Sequence, residues 1–186
     1  MSLPWRAVMA LWFFMPAMLP NTAAAIFGGG TALDFGRSWR GRRLLGDGKT
    51  WRGLAVGIIS GLLLGYLEAF IASATDLPIR QVFAPAITSL PILLCLTAGS
   101  MGGDIAAAFF KRRAGLARGA KVPLLDQYDF VAGAIVVAGI FQTGKVNAFL
   151  LSGDAFGLIL VIVVVYPLHR LINYIGFRKG MKDVPW

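Results

Sequence analysis

The sequence predicts an all-α integral membrane protein: five transmembrane helices, N-terminus outside, C-terminus cytoplasmic, two long cytoplasmic loops. Three observations carry this. Of 186 residues, 57% are hydrophobic and only 15% charged, with a mean hydropathy of +0.70, against roughly 45–50% apolar content in a soluble domain. Five apolar stretches approach the roughly 20 residues that a spanning helix needs. The basic residues, 18 Lys and Arg against 9 Asp and Glu, collect in alternate connections, as cytoplasmic loops require. In a soluble chain this excess would point to nucleic acid; in one this apolar no nucleic-acid partner is expected.

The first span covers about 5–27. One arginine, an apolar run and Ala23-Ala24-Ala25 also resemble a signal peptide. Cleavage there would export the next segment with its six basic residues, against the positive-inside rule, so the span is preferred. The first loop, about 28–52, holds Arg37, Arg40, Arg42, Arg43, Lys49 and Arg52. The second span, about 53–72, carries Gly53, Gly57, Gly61 and Gly65 in one stripe. Such a stripe admits a second helix closely; packing inside the bundle is preferred, with a homodimer contact as its other use. The third span is about 84–107. The second loop, about 108–124, carries Lys111, Arg112, Arg113, Arg118 and Lys121. The fourth span, about 125–143, is the shortest, because its apolar run begins only at Phe130. The fifth is about 154–176, and the tail adds Arg178, Lys179 and Lys182. The whole chain, 1–186, reads as a single membrane domain.

One cysteine (Cys95) and one histidine (His169) exclude an internal disulfide and leave metal chemistry to oxygen ligands. Asp76, Asp154 and Asp183 read as solvated charge, and Glu68 as a side chain snorkelling to the outer interface. Asp104, Asp126 and Asp129 are different. Asp104 follows Gly102-Gly103 near the inner end of the third span, and Asp126 and Asp129 share a face at the start of the fourth. Capping explains one carboxylate there. Three at a membrane boundary suit a clamp for Mg²⁺, which takes few protein oxygens beside water and phosphate. Lys111, seven residues after Asp104, falls on the same face if the helix continues. The first loop pairs cations with Gly28-Gly29-Gly30, a composition that lets backbone N–H groups surround phosphate. GDGKT, 46–50, is no P-loop: Arg43 stands where the first glycine must be.

LDFG at 33–36 and GRRLLGDGKTWRG at 41–53 closely resemble the first cytoplasmic loop of the archaeal CDP-archaeol synthases. GD at 103–104, FFKRR at 109–113, RG at 118–119, Pro123 and LDQYDF at 125–130 resemble their second. The second loop is also similar to the signature of the CDP-diacylglycerol synthases, except that Gln127 and Phe130 replace an arginine and a serine. That favours the archaeal branch; action on phosphatidic acid is the alternative. The resemblance implies a CTP-dependent cytidylyltransferase of the cell membrane, acting on an isoprenoid glycerol-phosphate lipid with Mg²⁺. Asp104, Asp126 and Asp129 would hold the metal, and Lys49, Arg52 and Lys111 would contact phosphates. The loop with Gly28, Gly29, Asp34, Asp47 and Thr50 would hold CTP, and Arg112 would join Lys111 at the leaving pyrophosphate. A CDP-alcohol phosphotransferase would need Asp-Gly-x-x-Ala-Arg, which residues 47–52 lack. A transporter would need polar groups near mid-membrane, and the charges cluster at one interface instead.

Overall fold

The computed structural model describes residues 2–83, 88–117 and 120–180. Residues 84–87 at the start of the expected third span, Arg118, and the tail residues Lys182 and Asp183 lie outside the described residues. The elements in order are α1 (Leu3–Phe27), a hairpin of β1 (Ser38–Trp39) and β2 (Arg42–Arg43), α2 (Trp51–Ser73) and α3 (Arg80–Phe83). Then come α4 (Leu90–Arg113), α5 (Leu125–Phe141), α6 (Thr143–Val146), a π turn (Asn147–Leu151) and α7 (Phe156–Arg178).

Among the described residues, four helices, α1, α2, α4 and α7, are long and apolar enough to cross a membrane. The expected fourth span forms as α5, but with 17 residues it extends about 26 Å, short of the ~30 Å hydrocarbon thickness. The third helix is shifted relative to expectation. It runs six residues past 107, through Lys111, Arg112 and Arg113. Cations are favoured in a helix's last turn, so the charged end continues the helix where hydropathy alone places a loop. The second loop therefore begins at Ala114.

Two helix pairs make the most extensive contacts, α4 with α5 and α1 with α2. Each rests on glycine. The stripe on α2 faces inward: a Cβ on Gly57 would stand 2.7 Å from Met101 Sδ and 3.0 Å from the Pro20 carbonyl oxygen. One on Gly61 would stand 2.6 Å from the Pro16 carbonyl oxygen, and one on Gly65 2.2 Å from Leu93 Cδ2. Bundle packing thus uses the stripe, which leaves no homodimer face there. Between α4 and α5 the approach is closer still. A Cβ on Gly133 would lie 2.2 Å from the Gly99 carbonyl oxygen, and one on Gly103 2.1 Å from the Asp129 carbonyl oxygen.

The apolar core includes Phe13, Phe14, Phe83, Leu93, Leu96, Leu150, Val161 and Val165. Glu68 departs from expectation. It is only 2% exposed, and neither carboxyl oxygen meets a hydrogen-bond partner among the described residues. Its helix face, shared with Gly65 and Ala72, points into the bundle, so it cannot snorkel outward.

Candidate active site

The site begins at the N-terminus of α2. Thr50 caps this helix, its Oγ1 accepting the Gly53 N–H at 3.0 Å and the Gly29 N–H at 3.2 Å. Residues 31–33 run antiparallel beside 49–51: Leu33 N–H donates to the Lys49 carbonyl at 2.8 Å, and Trp51 N–H to the Thr31 carbonyl at 3.1 Å. This short pairing fixes the backbone of Lys49. Its ammonium then reaches α4 and pairs with Asp104.

Asp104 and Lys111, two turns apart on α4, both face one cavity of about 240 Å³. Lys111 Nζ donates to Asp126 Oδ1 at 2.7 Å, and Asp126 Oδ2 accepts the Val122 N–H at 2.9 Å. Asp129, one turn further along α5, lines the same cavity. Its Oδ1 accepts only the N–H of Phe130, at 2.6 Å, and it ion-pairs with no cation among the described residues. The structure therefore brings Lys49, Thr50, Asp104, Lys111, Asp126 and Asp129 to one place.

The expected metal ligands Asp104, Asp126 and Asp129 all line this cavity. Among the described residues, no three carboxylates are close enough to hold one ion together. Lys49 pairs with Asp104 and Lys111 with Asp126. The donor chemistry still fits Mg²⁺, because the three acids of this wall offer hard carboxylate oxygens.

Six expected binding residues do not line the cavity. Gly28 packs where a Cβ would meet the Ala24 carbonyl oxygen at 2.2 Å, so it closes the end of α1. Gly29 gives its N–H to Thr50. Arg52 donates to the Phe27 carbonyl at 2.6 Å. Arg112 donates to the Leu116 and Ala117 carbonyls, capping the end of α4. Asp47 is largely exposed and pairs with Arg43 at 2.8 Å.

Asp34 is the strongest departure. Its side chain is fully buried. It accepts from Arg43 Nη2 at 2.8 Å, Arg43 Nε at 3.3 Å and the N–H groups of Gly36, Leu45 and Gly46 at 3.0, 3.0 and 3.1 Å. The Arg43 guanidinium, helped by those N–H groups, holds this carboxyl well below the usual carboxylate range against the opposing effect of burial. Asp34 thus scaffolds the loop and has no oxygen left for a nucleotide. Asp34→Asn is expected to speed protease cleavage within residues 28–50 about tenfold, because an amide puts N–H where these donors need an acceptor. The sign in pH follows from the lowered value. The carboxylate's contribution is complete above the ordinary range and is lost as pH falls through the lowered folded-state value. Wild-type cleavage at about pH 5 should therefore match that at about pH 7.

Three polar side chains in the lining lie outside the expected site: Asn21 on α1, and His169 and Asn173 on α7. Asn21 Oδ1 is shielded and accepts no hydrogen bond among the described residues. Asn173 is buried. His169, expected at the interface, lies 5.4 Å from the Phe130 ring. The signal was available, since each is a polar residue in an apolar helix, and the α7 pair is spaced four apart on one face.

Comparison with known proteins points to one family. The family described as CarS-like, CDP-archaeol synthase, matches residues 6–186. The CDP-archaeol synthase of Methanosphaerula palustris is 49% identical over 174 residues, covering 92% of this chain and 99% of that protein. That of Halobacterium salinarum is 44% identical over 192 residues, covering both chains completely. A solved structure described as an intramembrane enzyme for archaeal membrane lipids biosynthesis superposes with a TM-score of 0.64 at 29% identity, over 88% of this chain and 94% of that one. With its four apolar helices, the chain is a multi-pass membrane protein, and it belongs to the CDP-archaeol synthase family.

Proposed function

We propose that this chain transfers CMP from CTP to the phosphate of an unsaturated archaetidic acid, 2,3-bis-geranylgeranylglycerol phosphate. The products are CDP-archaeol and pyrophosphate, in the synthesis of archaeal membrane phospholipids. The observation that carries this reading is the convergence of Lys49, Asp104, Lys111, Asp126 and Asp129 on one cavity at the ends of apolar helices.

The chemistry needs few side chains. A phosphomonoester with a second pKa near 6 is largely ionised at pH 7, so the nucleophile needs no general base. A lipid phosphate oxygen bonds to the α-phosphorus of CTP, and the bond from that phosphorus to the bridging oxygen of the β-phosphate breaks. Pyrophosphate leaves with the electron pair. The obstacle is repulsion between two anions. Lys49 and Lys111 exchange their carboxylates for phosphate oxygens and hold the two substrates together. Asp104 and Asp126, released from the lysines, and Asp129, unpaired among the described residues, are the residues that would hold Mg²⁺, which when bound would neutralise charge on the transferring and leaving phosphates. Asp34 acts indirectly, by fixing the loop that presents Lys49.

The topology follows the same logic. The chain forms one membrane domain with α5 as a fifth, short span and the N-terminus outside. The loops and the cavity face the cytoplasm, where CTP is available, while the isoprenoid chains remain in the bilayer. Fourteen basic residues then lie inside, in residues 28–52, in 108–124 and in the tail, against Arg6, Arg80 and Lys145 outside.

The test is an end-point reaction of detergent-purified protein with CTP, Mg²⁺ and the bis-geranylgeranyl lipid, read by mass spectrometry of the lipid extract. The expected result is a CDP-lipid mass that disappears with EDTA and is not replaced by an adenylated or guanylated lipid when ATP or GTP is supplied. Diacyl phosphatidic acid run alongside decides between the archaeal reading and its alternative. Folded protein that gives no product from either lipid would overturn the reading.

A further inference from the structure

A second cavity lies between the hairpin and the end of α4. It measures about 440 Å³ and is lined by Trp39, Arg40, Arg42 and Arg113, sharing no residue with the first. The basin is firmly built. Arg113 donates to the carbonyls of Trp39 at 2.6 Å, Arg42 at 2.9 Å and Arg43 at 2.6 Å. Arg42 returns a bond to the Arg113 carbonyl at 2.5 Å. The Trp39 ring stacks on Phe109 at 6.3 Å, with Arg113 at 5.3 Å and Arg40 at 5.2 Å from its centre.

The three guanidinium charges are uncompensated. Among the described residues none of them pairs with a carboxylate, whereas Arg43 in the same hairpin meets both Asp34 and Asp47. Like charges that line one basin repel, and an anion in the basin relieves the repulsion. Guanidinium groups beside an exposed aromatic also match the phosphate level of a bilayer. The position agrees: Trp39 is half exposed and packs on Phe109, whose neighbour Phe110 is 63% exposed on a helix apolar enough to span.

We propose that this basin is a second anion site, distinct from the catalytic cavity, which takes the phosphate of an anionic membrane-lipid headgroup and seats the hairpin on the bilayer surface. The test uses the full-length protein in detergent, titrated with short-chain phosphatidylglycerol and followed by native mass spectrometry. Short-chain phosphatidylcholine and inorganic pyrophosphate are run in parallel. Arg40→Gln is the informative variant, because the Arg40 side chain makes no hydrogen bond among the described residues that pins the hairpin. Wild type should retain phosphatidylglycerol in preference to phosphatidylcholine, and Arg40→Gln should bind it about fivefold more weakly with turnover in detergent unchanged. Arg40→Lys should recover most of the affinity. Equal retention by wild type and Arg40→Gln would overturn the proposal. So would pyrophosphate displacing the bound lipid from wild type and Arg40→Gln alike, which would place that lipid elsewhere.

Discussion

Asp129→Asn is expected to reduce CDP-lipid formation by ~10³-fold or more while the protein stays folded. The substitution keeps the shape of the side chain and removes one negative charge. Because Asp129 ion-pairs with no cation among the described residues, no salt bridge is lost with it, and a thermal melt should match wild type closely. Asp104→Asn and Asp126→Asn should be as severe in turnover. They also release Lys49 and Lys111, so small changes in the melt are expected there. Asp154→Asn is the control. That carboxylate is over half exposed and pairs with Arg6 near the opposite end of α1, so turnover should be nearly unchanged. Full activity in all three site variants would remove the carboxylates from the mechanism.

Gly133→Ala is expected to cost about 3 kcal/mol of stability. The added methyl would lie 2.2 Å from the Gly99 carbonyl oxygen and 2.6 Å from the Gly103 Cα and nitrogen. All three are backbone atoms, so no flexible side chain can yield and the helices themselves must part. Asp129 lies one turn from Gly133, and Asp104 is next to Gly103, so parting the helices also spreads the carboxylates. A misplacement near 1 Å at reacting groups costs roughly 10²-fold in rate. Gly102→Ala provides the comparison: a Cβ there meets nothing within 4 Å. It should leave both the melting temperature and the rate near wild type, with a slight gain in helix propensity.

The two glycine-lined contacts, α1–α2 and α4–α5, show what the sequence makes legible. The α2 stripe repeats every four residues in one helix, and a close helix contact can be read directly from that period, with packing inside the bundle preferred over a dimer contact. The α4–α5 contact is divided between Gly99 and Gly103 on one helix and Gly133 on the other, so neither helix displays the full pattern. Only the pairing of the helices reveals it. The cavity residues divide in the same way. Asp104, Lys111, Asp126 and Asp129 sit at helical spacings beside motif residues, so their shared face could be predicted. Asp34 could not be placed from spacing. Cations, glycines and a carboxylate in one loop serve a bound phosphate or serve each other, and only tertiary hydrogen bonds decide between these uses. Glu68 was misplaced for a simpler reason. Position along the helix predicts an interface, but its angular register, three residues after Gly65, turns it into the bundle.

The prolines of α1 tie two distant parts of the chain together. Pro20 has no N–H to offer the Pro16 carbonyl four residues back, so that oxygen lacks its helical partner. Gly61 on α2 faces it so closely that a Cβ would stand 2.6 Å away, near enough for a Cα–H to serve as a weak donor. Positions 16, 20 and 61, with Thr97 on α4, therefore form one unit of inheritance. A Cβ at 61 would also meet Thr97 Cγ2 at 2.4 Å and Pro20 Cγ at 3.0 Å, so as relatives diverge a larger residue at 61 is tolerated only where α1 and position 97 shift or change with it.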